Sequence, residues 1–330
     1  MNIDLEYAQR PRLGSARGGH YESWFLRANH PREPRAFWIR YTLFVSAQGA
    51  ERLGEIWAIY FDGNRAHPIA AQEDIAWAQC QVRGDPLQVQ LGESTLRSGD
   101  VQGCARGSRH RLEWQLQYQG GAEPLFLLPR SRYESGFPKA KALVSRPLVR
   151  FTGNLVVDGE RIAIEDWTGS ENHNWGERHT DSYAWGQVCG FDNDASAFLE
   201  CGSARLKLGP IWSPALTVAA LRHEGRVYAF NQLRRAWRHK ADYAPGHWSF
   251  TCAQDGVRLH VRVNARAQDI VALRYRNPPG GIKTCLNSKL ARCELLLERP
   301  GQSSLQLRSA NGAAFEILTD APPADGLYAN

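Results

Sequence analysis

The stretch that decides the fold is RLEWQLQY at positions 111–118, in which polar and apolar side chains alternate at every residue. The seven residues VRLHVRV at positions 257–263 repeat the pattern. Successive side chains of a β-strand point to opposite sides, so strict alternation indicates a strand with one buried and one solvated face. Both stretches therefore predict strands at the boundary of a hydrophobic core.

Similar strand-like stretches recur along the chain, at positions 22–28, 37–45, 55–62, 148–157, 182–191, 197–208, 216–221, 247–252, 270–276 and 293–298. Turn-forming residues such as Asp-Gly-Asn at 62–64, Asp-Gly at 255–256 and Pro-Pro-Gly-Gly at 278–281 separate them. This order predicts a meander of antiparallel hairpins. Such meanders close most readily into up-and-down β-barrels, whose interior can hold one small ligand.

The length of 330 residues suits two such barrels, because single hydrophobic cores stop growing near roughly 250 residues. The weakest point of the strand pattern in the second half is Asp-Asn-Asp at 192–194, so we predict domains at residues 1–193 and 194–330. The first would carry the His-Asn-Trp-Gly segment at 173–176. The tail from residue 320, with Pro322 and Pro323, is predicted to be disordered.

The composition points to a cytoplasmic protein that binds neither nucleic acid nor metal. The net charge of +6 is spread over the chain, and the basic stretch at 234–240 fits a solvated face. The sequence shows no signal-peptide pattern and no apolar run of about 18 residues, so we expect no transmembrane segment. Seven cysteines without paired spacing predict free thiols, and His173 and His179 lack zinc-site spacing.

A candidate site lies in ENHNWGERH at positions 171–179, where ionisable and amide groups surround a tryptophan. If a strand continues to Trp175, then His173 and Trp175 share one face and Asn174 points away. A histidine can exchange a proton near neutral pH, and the face of a tryptophan stabilises a cation. The alternative is structural: His173 and Asn174 bond backbone groups where the strand ends, and Trp175 belongs to the core.

Two following strands add to this candidate site. Tyr183, Trp185 and Gln187 share one face of the first strand, and Phe198 and Glu200 share one face of the second. A carboxyl group among apolar side chains has a raised pKa, so Glu200 is a candidate proton donor. The alternative places Glu200 at the rim of the barrel or pairs it with Arg205.

Four segments together resemble the hydroxyneurosporene synthase (carotenoid 1,2-hydratase) and tocopherol cyclase-like family. They are ESWFLRA at 22–28, FWIRYT at 37–42, HNWG at 173–176 and YAWGQ at 183–187. The resemblance extends over residues 20–310, and its most specific parts are the His-Asn-Trp-Gly segment and the Trp-x-Gln that follows.

This resemblance implies an all-β protein of two lipocalin-like (calycin) antiparallel β-barrels packed together, with a hydrophobic pocket. Members hydrate isoprenoid double bonds or cyclise prenylated or polyene substrates without a cofactor. In the carotenoid hydratases a His-x-Trp pair and a later Tyr-x-Asp pair are implicated, and His173 and Trp175 match the first pair. Phe198 and Glu200 stand where the second is expected, so the phenol is absent and the carboxyl side chain is longer.

From these observations we predict a cofactor-independent hydratase, cyclase or isomerase that acts on a hydrophobic isoprenoid-like or polyene substrate. The predicted catalytic residues are His173 and Glu200. The predicted substrate-binding residues are Asn174, Trp175, Tyr183, Trp185, Gln187 and Phe198. A non-catalytic carrier or sensor of a hydrophobic small molecule is the alternative, and peripheral membrane contact and homo-oligomers stay open.

Overall fold

The computed structural model describes residues 3–13, 19–84 and 86–321, and most of them lie in antiparallel strands. The first eleven strands are β1 (His20–Asn29), β2 (Arg35–Val45), β3 (Arg52–Asp62), β4 (Ile69–Ala76), β5 (Cys80–Gly84), β6 (Leu87–Leu91), β7 (Ser94–Arg97), β8 (Asp100–Arg106), β9 (Arg111–Gly120), β10 (Ala140–Val157) and β11 (Glu160–Gly176). They form one sheet in the order β4-β3-β2-β1-β11-β10-β9-β8-β7-β6-β5, which curls into a nearly closed barrel. We call it the first barrel.

The remaining strands are β12 (Ser182–Phe191), β13 (Asp194–Arg205), β14 (Lys207–Leu208), β15 (Ile211–Trp212), β16 (Leu216–His223), β17 (Arg226–Phe230), β18 (Lys240–Ala244), β19 (His247–Gln254), β20 (Val257–Asn264), β21 (Val271–Arg276), β22 (Ile282–Glu298) and β23 (Leu305–Thr319). All except the small β14-β15 hairpin belong to one sheet in the order β17-β16-β13-β12-β23-β22-β20-β19-β18, with β21 beside β22. We call this sheet the second barrel. The prediction of an all-β fold with two lipocalin-like barrels is confirmed.

Helical structure is sparse in the described residues. It consists of α1 (Ile3–Gln9), α2 (Leu233–Ala236) and the 3₁₀ turns Trp77–Gln79, Arg130–Arg132 and Ala267–Asp269. None of the described helices is long and apolar enough to span a bilayer. The helix α1 contacts the first barrel near the end of β11, where the carbonyl of Ala8 meets the side chain of His173.

The change from one sheet to the other lies between Gly176 and Ser182. Strand β12 pairs with β13 and β23, both of the second barrel. The boundary predicted between Asn193 and Asp194 therefore assigns β12 to a different sheet from its hydrogen-bonded partners. The division into residues 1–193 and 194–330 as folding units stays a prediction, and the predicted disordered tail lies outside the described residues from position 322 onward.

Strand β1 and residues 169–176 of β11 are covered on both faces because one face looks into the first barrel and the other faces the second barrel, whereas the start of β11 is exposed on one side. Every residue of β1 is buried. Trp24 and Leu26 belong to the core inside the first barrel, whereas Phe25 packs in a separate layer with Trp38 and Tyr275. We call this layer, which joins the two barrels, the inter-barrel layer. Near-continuous apolar sequence is expected of a strand that is covered on both faces.

Candidate functional site

The outer faces of the two barrels enclose a cavity of about 230 Å³. Strands β1 and β11 form one wall, and β12 and β13 form the opposite wall. The segment between β9 and β10 adds Leu127, Leu128 and the half-exposed Phe137. Most of the lining is apolar or aromatic, with a few polar groups, as in small-molecule sites generally. This inter-barrel cavity is the candidate functional site.

A larger concavity of about 600 Å³ lies on the second barrel. Its outward-facing lining includes Lys240, Asp242, Arg262 and Glu294, which are charged and face solvent. Such a surface is well solvated and offers an apolar ligand little to bind. The smaller inter-barrel cavity is therefore the better candidate.

Glu200 places a buried carboxyl group in the wall of the inter-barrel cavity. Its neighbours Leu199 and Cys201 point into the second barrel, so Glu200 points outward, and its residue is 2% exposed. Oε1 accepts a hydrogen bond from Nε1 of Trp185 at 2.7 Å, and Oε2 accepts one from Nε2 of Gln187 at 2.9 Å. Burial raises the pKa of Glu200 to about 7, although both hydrogen bonds act against that rise. The carboxyl group therefore exchanges a proton near neutral pH, as a general acid must.

Gln187 connects Glu200 to the first barrel. Its Nε2 also donates to Oδ1 of Asn172 at 2.8 Å, and its Oε1 accepts a hydrogen bond from Oγ of Ser170 at 2.7 Å. Arg27 donates to the backbone carbonyl of Gln187 at 3.2 Å and lies 3.3 Å from its Oε1. With its nitrogen and its oxygen both engaged, the amide has one orientation, and it holds the carboxyl group of Glu200 in place.

A buried cation, Arg40 of β2, also lines the cavity. It is 4% exposed, and its Nη2 donates to Oγ of Ser23 at 2.8 Å. The guanidinium lies over the ring of Tyr275, 4.4 Å from the centroid. Its Nε is buried without a hydrogen-bond partner. The cavity thus contains a positive charge with unused hydrogen-bonding capacity.

His179 lies next to this cation. Its ring stacks on Tyr21, with centroids 4.1 Å apart, and on Tyr275 at 5.7 Å. Nε2 donates to the carbonyl of Arg276 at 3.0 Å, which leaves Nδ1 as an acceptor. Burial and the nearby charge of Arg40 lower the pKa of His179 to about 3. The imidazole is therefore neutral at physiological pH.

Glu316 of β23 lines the cavity as half of an ion pair. Nζ of Lys289 lies 2.8 Å from its Oε1, and Nδ2 of Asn287 donates to the same oxygen at 2.9 Å. Nζ of Lys289 also lies 5.5 Å from the ring centroid of Trp185 and 5.6 Å from that of Trp38. Burial lowers the pKa of Lys289, and Glu316 opposes that effect. The two charges compensate each other within the inter-barrel layer.

His173 lies on the other face of β11, inside the first barrel. Its Nε2 is 2.8 Å from Oε1 of Glu22, and its Nδ1 is 2.8 Å from the carbonyl oxygen of Ala8. Burial raises the pKa of Glu22, but the hydrogen bond from His173 and the nearby imidazole of His20, whose Nε2 lies 3.7 Å from Oε2, outweigh burial and lower it to about 2. Both ring nitrogens of His173 are thus engaged by oxygen atoms within the first barrel.

Five of the eight predicted site residues come together at the inter-barrel cavity. Asn174, Tyr183, Trp185 and Glu200 line it, and Gln187 bonds Glu200 from behind. Glu200 is not at a barrel rim. Its carboxyl group is bonded by Trp185 and Gln187 and not by Arg205. Oδ1 of Asn174 is buried without a hydrogen-bond partner.

The other three predicted residues lie elsewhere. Trp175 follows His173 into the first barrel, with the ring centroids 4.7 Å apart. Phe198 packs beside Leu125 and Val144 in a small cluster of its own. The two predicted catalytic residues therefore face different compartments, because β11 separates the interior of the first barrel from the cavity. Their predicted roles stay predictions.

The polar residues Arg40, Asn172, His179 and Glu316 were not among the predicted site residues. Arg40 and Glu316 come from strands that are distant in sequence from the predicted residues, whereas Asn172 and His179 lie within the stretch at 171–179. A signal for Arg40 exists, because it is the lone charge in FWIRYTLF at 37–44, within a strand that is apolar on both faces. A charge in such a strand is buried and is expected to have a specific contact.

Within the described part of the chain, no group of three or more His, Cys, Asp or Glu side chains is arranged to hold a metal ion. The seven cysteines are free thiols.

No family model matches this sequence. Two uncharacterized proteins from strains CDC 1551 and H37Rv of Mycobacterium tuberculosis are each 22% identical over 291 residues, covering 88% of this chain and 85% of theirs. This similarity extends over both barrels.

Three solved structures share the fold. An AttH candidate from Nitrosomonas europaea has a TM-score of 0.61 at 14% identity and covers 97% of this chain and 96% of its own. Kievitone hydratase from Nectria haematococca has a TM-score of 0.59 at 11% identity and covers 96% of this chain and 93% of its own. CghA has a TM-score of 0.50 at 12% identity and covers 93% of this chain and 90% of its own. The chain therefore has a two-barrel, lipocalin-like fold that also occurs in a hydratase.

Proposed function

We propose that the inter-barrel cavity is the active site of a cofactor-independent hydratase or cyclase that acts on a hydrophobic, isoprenoid-like or polyene substrate. The observation that carries the proposal is the carboxyl group of Glu200, which is buried among aromatic rings and titrates near pH 7. The fold shared with kievitone hydratase supports the same class of reaction.

In the hydration, protonated Glu200 transfers its proton to one carbon of a substrate double bond. The π electrons form the new C–H bond, and positive charge develops on the other carbon. A water molecule then forms a C–O bond to that carbon and returns its surplus proton to the Glu200 carboxylate. One water has been added across the double bond and the acid is restored. In the cyclisation, the π electrons of a second double bond form a C–C bond to the cationic carbon in place of water. The new cation then loses a proton to the Glu200 carboxylate, which forms a double bond and restores the acid.

The surrounding residues favour the charged intermediate. The rings of Phe25, Tyr183 and Trp185 line the cavity and stabilise a developing cation through their negative faces. Trp185 also donates to Glu200, so one side chain both positions the acid and faces the site of charge. Gln187 stabilises the carboxylate that remains after proton transfer, because its hydrogen bond favours the ionised form.

The size of the cavity restricts the substrate. Its volume of about 230 Å³ is below the roughly 300 Å³ at which pockets for drug-sized ligands begin. A complete carotenoid exceeds this space. We therefore propose that the reacting part is a short isoprenoid chain or the prenyl end of a larger molecule.

Incubation with prenylated phenols and short terpenoids in ¹⁸O-labelled water, followed by mass spectrometry, tests the proposal. The wild-type protein is expected to add one labelled water or to form a cyclic isomer, and Glu200→Gln is expected to form neither. Glu224→Gln, at an exposed position, is the matched control and should retain wild-type turnover. Turnover by Glu200→Gln at the wild-type rate would contradict the mechanism.

A carrier or sensor of a hydrophobic molecule is the second candidate function. The phenylalanine at position 198 and the predominantly apolar lining favour it, because binding alone requires no acid. Native mass spectrometry of the purified protein separates the two functions. An unchanged hydrophobic ligand that stays bound, together with no conversion in labelled water, would replace the enzymatic proposal by the carrier.

A further inference from the structure

We infer that the inter-barrel cavity binds its substrate through a negatively charged oxygen atom and that Arg40 is the residue that recognises it. The inference rests on the proposed function for the assignment of this cavity as the substrate site. It adds the chemical class: a molecule with an apolar, unsaturated body and an oxyanion, such as a carboxylate, at one end.

Arg40 is incompletely paired. Within the described part of the chain it forms no ion pair, and its one hydrogen bond is to Ser23. The ring of Tyr275 beneath it offers a cation–π contact, which compensates only part of the cost of burying a full charge. Its Nε is buried and has no partner. Burial lowers the pKa of Arg40, but nearby groups that include Glu55 and Glu316 outweigh burial and raise it. The guanidinium is therefore charged, although none of the described carboxylates forms an ion pair with it.

The carboxylates near Arg40 bond other cations. Glu55, which faces Thr42 on the neighbouring strand, forms an ion pair with Arg276. Glu316 forms an ion pair with Lys289 at 2.8 Å. Neither carboxylate is available as a direct partner of Arg40, so the place of an anion beside its guanidinium is open to a ligand.

Two neutral groups lie beside Arg40. His179 is neutral, so it adds no positive charge that would compete with Arg40 for an oxyanion. Tyr275 lines the same cavity, and its buried hydroxyl has only the weakly hydrogen-bonding thiol of Cys285 as a neighbour. A hydroxyl donor near a guanidinium is a suitable second contact for an oxyanion. The cavity therefore contains an anion-binding part around Arg40 and an acid, Glu200, in its aromatic part.

This arrangement gives each end of the substrate a different partner. An oxyanion bound by Arg40 holds one end of the molecule, and the apolar part fills the space beside Trp185 and Glu200. A fixed end orients the double bond toward the acid, which lowers the entropic cost of proton transfer. Arg40 would then determine substrate specificity without taking part in the proton transfer.

Isothermal titration calorimetry with octanoate and octan-1-ol tests the inference without requiring turnover. Both probes carry the same alkyl chain, so the ratio of their affinities reports on the charged oxygen. The wild-type protein is expected to bind octanoate at least about tenfold more tightly than octan-1-ol. Arg40→Met should abolish this preference and leave octan-1-ol binding within about threefold, while Arg40→Lys should retain part of it.

Arg150→Met is the matched control, because it removes the same charge from the outer surface of the first barrel, where Arg150 bonds Thr168. It should keep the wild-type preference. Equal binding of the two probes by wild type, or a preference that survives in Arg40→Met, would overturn the inference. Circular dichroism checks that the variants are folded. If Glu200→Gln keeps its turnover, the proposed mechanism is overturned, but the binding preference for octanoate is unaffected. The failure of the mechanism and the failure of the inference on Arg40 are therefore distinguishable.

Discussion

The two faces of β11 differ in how completely their polar groups are paired. On the face inside the first barrel, His173 meets Glu22 and the carbonyl of Ala8, each at 2.8 Å. On the opposite face, Asn172 is bonded by Gln187, but Oδ1 of Asn174 has no partner, and open space lies beside it.

The difference shows that burial and a conspicuous motif do not by themselves identify a functional site. Both faces carry buried ionisable groups, but on the inner face those of β11 itself, Glu171 and His173, are each bonded by side chains of the first barrel. The unpaired carboxylate oxygen on that side belongs to Glu22 of β1. The outer face combines a cavity, unpaired polar atoms and a carboxyl group with a raised pKa. These are the features expected where a ligand completes the structure. The following predictions test this contrast.

The largest expected effect is on activity. Glu200→Gln removes the proposed acid and should lower kcat by about 10²–10⁴-fold, the usual contribution of general acid catalysis. At pH 4.5, where Glu200 is protonated in the folded protein, the melting temperature should stay close to that of wild type, because the side chain keeps nearly the same shape. Steady-state kinetics and thermal unfolding measure the two quantities. A kcat within threefold of wild type would contradict the assignment of the acid.

The next effect is on stability, and it concerns the inner face. His173→Ala leaves the buried carboxylate of Glu22 without its main partner and should lower the free energy of unfolding by about 3–5 kcal/mol. His173→Gln, which keeps an N–H donor, should lose less. Urea denaturation measures both. If His173→Gln is stable and binds octanoate normally but has lost turnover, the inner face also takes part in catalysis and the contrast drawn here fails.

The third effect is a pH dependence of stability. Glu200 has a pKa of about 7 in the folded protein, against an ordinary value of 4.5. The stability contributed by its protonated form is therefore present below pH 4.5 and is lost as the pH rises through 7. Glu200→Gln lacks this loss. Between pH 4.5 and 8 the free energy of unfolding of Glu200→Gln, relative to that of wild type, should therefore increase by an amount on the order of 3 kcal/mol. Denaturation at several pH values checks the gain, and parallel curves would disprove it.

The smallest effect separates two asparagines of the outer face. Asn172→Ala removes an acceptor for Gln187 and should cost about 1–3 kcal/mol of stability. Asn174→Ala removes an oxygen atom that is already unpaired and should change stability by less than about 0.5 kcal/mol. Denaturation of both variants makes the comparison. Equal losses would show that Asn174 has a partner in solution that the cavity geometry does not reveal.

Local sequence patterns predicted much of the fold. Alternation of polar and apolar residues identified segments such as 111–118 and 257–263, which lie in β9 and β20. It also predicted that His173 and Trp175 share one face and that Asn174 points away, as the structure shows. The prediction that burial would raise the pKa of Glu200 agrees with its environment.

The predicted site was less complete for a geometric reason. A period of two tells which residues of a strand share a face, but it does not tell what each face meets. The sequence groups His173 and Glu200 because both are ionisable side chains among aromatic residues on predicted strands. In the structure, β11 separates His173 from the cavity that contains Glu200. Nothing in the local sequence of Arg40 connects it with position 200, and His179 lies in the stretch at 171–179 but beyond the predicted strand, where alternation gives no face.

What the sequence by itself determined is the secondary structure: strand positions, their alternating faces and the chemical type of each side chain, all of which depend on neighbours within a few residues. Only the tertiary structure decided that β12 joins the second sheet and that the barrels meet along β1 and β11. It alone brings Arg40 into the same cavity as Glu200. Pairing between distant strands depends on packing over the whole chain, which no local pattern encodes.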